Sequence, residues 1–227
     1  GQLIGDYENG CLKDIYEGGQ APLTGLRFPI RHLFKKEYTF LPVSTSRGCP
    51  FNCVFCAINR FYKGSYRKRD VEDVMDELKS LPPGHDIVFM CDGNMYGYTK
   101  DDVKRFKALC RRISEEREKG TLNFKYFIGY ASVNALDDEE ALDLASKAGC
   151  GAMFVGFESV NPDSLKDMNK KLNLKYGVES YNRLVENAQR RKILIVGEMI
   201  VGTDSDDKQV LEKTEQFLDT IHFDILR

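Results

Sequence analysis

Residues 41–56 read LPVSTSRGCPFNCVFC, an apolar run of strand length that feeds directly into three cysteines on one short loop. Residues 41–46 predict a first strand, and from there apolar strand-length runs alternate with helical periods. Val71, Val74, Met75, Leu78 and Leu81 recur at helix spacing behind Asp70, a residue type suited to an N-cap, and Pro82-Pro83-Gly84 stops the run. The strand IVFMC (87–91) precedes a helix over 101–118 with Val103, Phe106, Leu109, Cys110 and Ile113 on one face. Next come the strand YFIGYA (126–131), a helix over 138–148, the strand AMFVGF (152–157) and helical stretches over 163–169 and 176–191. The strand ILIVGEMIV (193–201), a helix over 207–220 carrying Val210, Leu211, Phe217 and Leu218, and the apolar segment FDIL (223–226) complete the pattern.

Strands apolar on both faces, separated by amphipathic helices, mark a parallel sheet with helical crossovers. Five such units and the start of a sixth strand predict an α/β fold, a partial (β/α)6 TIM-like barrel truncated in or after the sixth strand. The division expected is a strap or interdomain connector over 1–40, Gly-rich and irregular with Pro22 and Pro29, and a core over 41–227.

The 33 basic side chains nearly balance 35 acidic ones, which disfavours nucleic acid and anionic membranes as partners. No apolar run approaches the roughly 18 residues of a membrane span, and the N-terminus lacks the basic-then-apolar order of a signal peptide, so a cytoplasmic protein is expected. Seven cysteines, an odd number spread through an ordinary chain, argue against a disulfide framework. Cys11, Cys91, Cys110 and Cys150 read as ordinary small residues. The densest charge run, RFYKGSYRKRD (60–70), reads first as a solvated strap into the next helix. A nucleic-acid patch, or cations that flank a metal centre, are the other readings of it.

Cys49, Cys53 and Cys56 are close enough in sequence to converge on one metal centre. A cube of four irons has four corners. Three cysteines would leave one iron open to chelate the amino and carboxylate groups of a small molecule. Zinc in a structural role wants four closed ligands, and neither His32 nor His85 has a recognisable pairing spacing. Core cysteines are the third reading. A separate indication is positional, since chemistry in βα barrels sits at the C-terminal ends of strands. Here those ends carry Cys49, Asp92-Gly93-Asn94, Ser132, Glu158-Ser159 and Gly202-Thr203-Asp204, all expected at one mouth.

At the cysteines the sequence resembles the radical S-adenosylmethionine (SAM) superfamily, whose signature is CxxxCxxC with an aromatic residue before the third cysteine, here Phe55. The resemblance implies a 4Fe-4S cluster on Cys49, Cys53 and Cys56 that donates one electron to bound SAM, giving methionine and a 5'-deoxyadenosyl radical. It also implies a small-molecule substrate and an external low-potential donor such as flavodoxin or ferredoxin. Phe51, Val54 and Phe55 would shield the cluster. Asp92-Gly93-Asn94 occupies the place of the superfamily's Gly-Gly-Glu, which holds the methionine amino group, with Asn94 replacing glutamate so that the backbone would make the contact. Ser132 ends the third strand at the same mouth. Glu158 resembles the fourth-strand polar residue on the ribose or methionyl amine, its alternative reading being a strand-end glutamate paired with a helix lysine. The fifth-strand GxIxGxxE pattern survives only in part, around Ile200 and Gly202, with Glu198 and Ser205 as departures. Glu198, inside an apolar strand, is expected to face the cavity and meet a cation, cofactor or substrate.

Over the whole chain, SRGCPFNCVFC, YRKRDVEDVMDEL, DGNM, VGFESVNPDSLKDMNKK and VGEMIVGTDSDD resemble the branch whose full-length members carry a cobalamin-binding domain before the core. That branch includes hopanoid methylases and the anaerobic ring cyclase of bacteriochlorophyll synthesis. GCLKDIYEGG and FPIRHLF look like its interdomain connector. Cobalamin is expected in a full-length parent only, because none of His32, His85 and His222 has Asp two residues before it. The alternatives are a radical methylthiotransferase-like enzyme and a non-catalytic iron–sulfur electron-transfer protein.

Overall fold

Strand runs that are apolar on both faces pair in parallel here because each is followed by a helix that crosses back over the sheet. The computed structural model describes residues 1–33 and 38–227; Phe34 to Glu37, within the expected strap, lie outside the described residues. The elements in order are α1 (Gln2–Glu8), a 3-10 turn (Arg31–Leu33), β1 (Phe40–Val43), β2 (Ser46–Gly48), α2 (Ala57–Phe61), β3 (Tyr66–Lys68), α3 (Val71–Lys79), β4 (Ile87–Met90) and α4 (Lys100–Glu118). They continue with β5 (Tyr126–Ala131), α5 (Val133–Leu136), α6 (Glu139–Lys147), β6 (Cys150–Glu158), α7 (Pro162–Asp167) and α8 (Lys171–Tyr176). A 3-10 turn (Val178–Ser180), α9 (Tyr181–Gln189), β7 (Leu194–Met199), α10 (Val210–Leu218) and β8 (Ile225–Leu226) follow.

The main sheet has six strands in the order β1-β4-β5-β6-β7-β8, every neighbouring pair parallel, which makes the expected partial (β/α)6 barrel. Leu41, Val43, Val88, Met90, Phe127 and Val155 turn one sheet face to the helices, where Met75 and Leu78 of α3, Phe106 and Ile113 of α4 and Leu184 of α9 are buried. Alternate residues point to the other face. There Phe89, Tyr130 and Phe154 form an aromatic cluster with ring centroids 5.1–6.0 Å apart on the concave side of the sheet.

Several expectations are corrected. The run 41–46 is not one strand: β1 ends at Val43, and Ser46–Gly48 instead pairs antiparallel with Tyr66–Lys68 in a separate ribbon. The charge run 60–70 is not a solvated strap, since it contains β3 and Arg69 is buried. Arg69 binds Asp73 (2.6 Å) and Glu77, and Lys68 binds Asp102, so these two cations serve carboxylates of α3 and α4. Asp70 stands at the N-cap of α3 but its side chain makes no capping bond. The first forty residues do hold a helix, α1, which buries none of its residues and therefore carries no apolar periodicity to read. In α10, Phe217 and Leu218 pack against the core as expected, but Leu211 is 68% exposed and Thr214 is buried in its stead.

Glu77 is 4% exposed and joins Arg31 of the strap to Arg69 of the ribbon. Removing one partner from a buried ion network leaves uncompensated charge, at a cost of about 3–5 kcal/mol. Glu77→Ala should therefore lower the urea midpoint by a corresponding amount, while Glu186→Ala on the exposed face of α9 should barely move it. Equal midpoints for the two variants would contradict this role.

Candidate functional site

The cysteine loop starts at a residue that must be glycine. Gly48 has φ +92°, and a Cβ there would run into the Ser65 carbonyl oxygen across the ribbon. Gly93, after β4, lies on the same point: a Cβ on it would sit 2.7 Å from the Gly48 carbonyl oxygen and 3.1 Å from Ile58 Cδ1. The ends of β2 and β4 are thus pressed together beside Cys49.

From there the loop is braced by its own groups and by the segment after β6. Asn59 Nδ2 donates to the Phe51 carbonyl (3.0 Å), and the Cys56 N–H donates to the Cys53 carbonyl (3.2 Å). Across the mouth, the Val54 N–H donates to the Met168 carbonyl (3.2 Å) and Asn169 Nδ2 donates to the Asn52 carbonyl (2.6 Å). Cys49, Cys53 and Cys56 are each half-buried. Burial pushes the Cys49 thiol up to about 11, with the neighbouring Cys53 and Cys56 adding to it and Lys170 opposing it. Burial also raises Cys53, again with Lys170 opposing and Glu158 reinforcing.

Lys170 is the cation of the site. It is largely buried at the start of α8, and its Nζ donates to Glu158 Oε1 at 2.9 Å. Glu158 is 6% exposed and adopts φ +67°, unusual for a side chain with a Cβ, where the β6–β7 register shifts. Its carboxylate folds back over Gly156, where any Cβ would collide with Oε1. Glu158 therefore does pair with a helix lysine, and that lysine stands beside the thiols. Nothing in the spacing of NPDSLKDMNKK marks Lys170 as the residue that reaches them; the pairing needs the fold. Of the 60–70 run, Lys68 and Arg69 are committed to Asp102, Asp73 and Glu77 instead.

The other expected residues divide. Asp92 turns inward: its carboxylate accepts from the Thr45 N–H (2.7 Å), the Thr45 hydroxyl (2.5 Å) and the Ser46 N–H (2.8 Å), so its side chain is committed to the backbone after β1. Asn94 is also committed, with Nδ2 donating to Ser132 Oγ (2.9 Å) and Oδ1 accepting from the N–H groups of Tyr96 (3.1 Å) and Gly97 (2.7 Å). The Ser132 hydroxyl in turn donates to Asn134 Oδ1 (2.6 Å). Phe51 is half-buried against Tyr98, centroids 5.6 Å apart, and Val54 and Phe55 are 52% and 49% exposed. Glu198 is half-buried. Burial raises its pKa, the Glu158 charge adds to this, and Arg227 at 3.5 Å opposes it. Gly202, with φ +100°, is exposed; its N–H donates to Asp206 Oδ2 (2.8 Å), which draws the loop toward Ser164 of α7.

A cavity of about 420 Å³ opens beside the loop, walled by Phe51, Cys53, Tyr98, Ser132, Lys170 and Lys175. Asn173 borders it, and its buried Oδ1 has no partner among the described residues. That volume is in the range of small-molecule sites. Among the described residues no three Cys, His, Asp or Glu side chains are drawn together as a single ion requires. A four-iron cube asks less, because each thiolate takes a different corner. Three half-buried thiols on one braced loop, next to a buried cation, fit such a cluster. Thiols raised by burial surrender their protons to a metal.

The chain belongs to the Radical SAM superfamily, whose family profile matches residues 43–217. That family works with a 4Fe-4S cluster and SAM. The chain is 28% identical over 228 residues to bacteriochlorophyllide d C-12(1)-methyltransferase of Chlorobaculum tepidum, covering 96% of this chain and 47% of that protein. It is 27% identical over 186 residues to anaerobic magnesium-protoporphyrin IX monomethyl ester cyclase of Rubrivivax gelatinosus, covering 79% of this chain and 32% of that one. The chain thus spans less than half the length of either. Among solved structures, the radical SAM methyltransferase TsrM of Kitasatospora setae, with tryptophan and a SAM analogue bound, superposes with a TM-score of 0.73 at 22% identity over 84% of this chain and 36% of that chain. The same protein with cobalamin and a [4Fe-4S] cluster gives a TM-score of 0.67 at 24% identity over 80% of this chain and 34% of that one.

Gly48 and Gly64 both have positive φ, but only at Gly48 does a neighbour block a Cβ. Gly64→Ala should cost only the backbone strain, about 1–3 kcal/mol. Gly48→Ala should cost well beyond that in thermal unfolding. Similar losses would show that the approach at Cys49 is not tight.

Proposed function

We propose that Cys49, Cys53 and Cys56 hold a 4Fe-4S cluster and that the chain cleaves SAM reductively at its open iron. When bound, the cluster supplies the electron and the open iron that grips the amino and carboxylate groups of SAM; the protein supplies placement. What carries this reading is one arrangement: three half-buried thiols on one loop, docked on the segment that brings the Lys170–Glu158 pair to them. Lys170 offers positive charge to a carboxylate, and Glu158, tied to it, offers acceptor oxygens to an amine or a ribose hydroxyl. Asn173 Oδ1 is a further acceptor at the cavity wall. Gly93 contributes backbone, while the committed side chains of Asp92 and Asn94 position the loops. Phe51 and Tyr98 give the cavity an apolar wall.

The reading extends to a longer parent. Residues 1–40 act as its connector, with 41–227 as the core, and cobalamin binds in the parent only, which methylates or cyclises a small molecule. The relatives' methyltransferase and cyclase names support this. No helix among the described residues is long and apolar enough to cross a membrane, and the cysteines are all unpaired, which suits a reducing cytoplasm and a donor such as flavodoxin or ferredoxin.

Anaerobic reconstitution followed by iron analysis and chromatography for 5'-deoxyadenosine tests the proposal. The chain should take up about four irons and form 5'-deoxyadenosine under strong reductant. Cys53→Ala should lose the iron, whereas Cys110→Ala should keep it. Glu158→Ala should keep the iron but bind SAM about ten-fold to a hundred-fold more weakly. Full iron in Cys53→Ala, or one zinc per chain, would overturn the assignment.

A further inference from the structure

Between the strap and the β1 edge lies a second cavity, of about 240 Å³, whose wall carries Arg27, Arg31, Arg47 and Arg69 and a single acid, Glu77. The acids at hand do not balance these cations. Glu77 bridges Arg31 and Arg69, and Asp73 takes the rest of Arg69. Arg31 Nη2 serves both Glu77 and the Pro42 carbonyl (2.7 Å), but its Nε is buried with no partner among the described residues. Arg27 and Arg47 are exposed, and neither forms an ion pair among the described residues. Among the described residues, two carboxylates thus answer four guanidinium groups.

The ribbon shows the same excess independently. Arg47 lies directly opposite Arg67 in the β2–β3 register, so the two project from the same face. Like charges in that position repel. Arg67 gives Nη1 to the Ala21 carbonyl (2.5 Å) of the strap, yet its Nε, like that of Arg31, is buried without a partner among the described residues. Buried donors are ordinarily paired, and leaving one unmade is costly.

We propose that this cavity is a binding site for a small oxyanion, a carboxylate or phosphate group, gripped by Arg27, Arg31 and Arg47. Such a group presents several acceptor oxygens to the planar fork of arginine. It would screen Arg47 from Arg67. The volume admits only a compact acid, and Leu23 and Phe28 offer its carbon skeleton an apolar wall. Because Arg27 and Arg31 belong to the strap and Arg47 to the ribbon that leads into Cys49, an anion here fastens the strap to the cysteine-bearing edge of the core.

The test is titration of the chain with sodium phosphate and, separately, sodium acetate at low ionic strength, with chloride as control, read by calorimetry and by melting temperature. One saturable site is expected, with melting temperature rising as ligand is added. Whichever anion binds more tightly identifies the group. Arg27→Gln and Arg47→Gln, both exposed, should fold and should weaken binding about ten-fold or more. Lys175→Gln, at the other cavity, should bind as the parent does. Absence of a saturable site, equal competition by chloride, or unchanged affinity in both arginine variants would overturn the proposal and leave an adventitious ion only.

Discussion

Asp92 is buried, and its carboxylate receives the backbone N–H groups of Thr45 and Ser46 together with the Thr45 hydroxyl. Burial raises its pKa, opposed by these hydrogen bonds and by the nearby Arg105, which itself grips the Thr45 carbonyl (2.9 Å). The effect on the chain is directional. A strand that would otherwise run on through 46 is stopped after Val43 and handed to the ribbon. The ribbon then brings Gly48 against Ser65 and Gly93, so the three cysteines leave from a fixed point at the barrel mouth. The cluster loop is thus set by a carboxylate that never faces the cofactor.

Charge at the mouth follows from the same geometry. Three thiols crowded on one loop disfavour one another's ionisation, and burial adds to the cost. The loop is docked on Met168 and Asn169, which places the next residue, Lys170, where its charge opposes that cost. Glu158 needs a left-handed backbone and the bare Gly156 beneath it to reach Lys170. Strain of this kind is characteristic of functional sites, where the surrounding fold over-determines an otherwise unfavourable conformation.

Much of the fold was readable from local pattern. Strands buried on both faces show as unbroken apolar runs, and the inner face of α4, with Phe106, Leu109, Cys110 and Ile113, repeats cleanly. The cysteine spacing was equally plain, because it lies within eight residues. What escaped reading depended on partners distant in sequence. Asp92 cuts the first strand from 47 residues away, and Arg69 is buried only because Asp73 and Glu77 meet it. The lysine at the thiols follows Cys53 by more than a hundred residues. Helix α1 buries none of its residues and left no periodicity to find.

The central claim is that three cysteines leave one iron free for SAM. Electron paramagnetic resonance of the reduced, iron-loaded chain, recorded before and after SAM is added, tests it most directly. Ligation at the open iron predicts a changed set of g values on addition, which Lys170→Met should weaken without removing the starting signal. An identical spectrum with and without saturating SAM would contradict it.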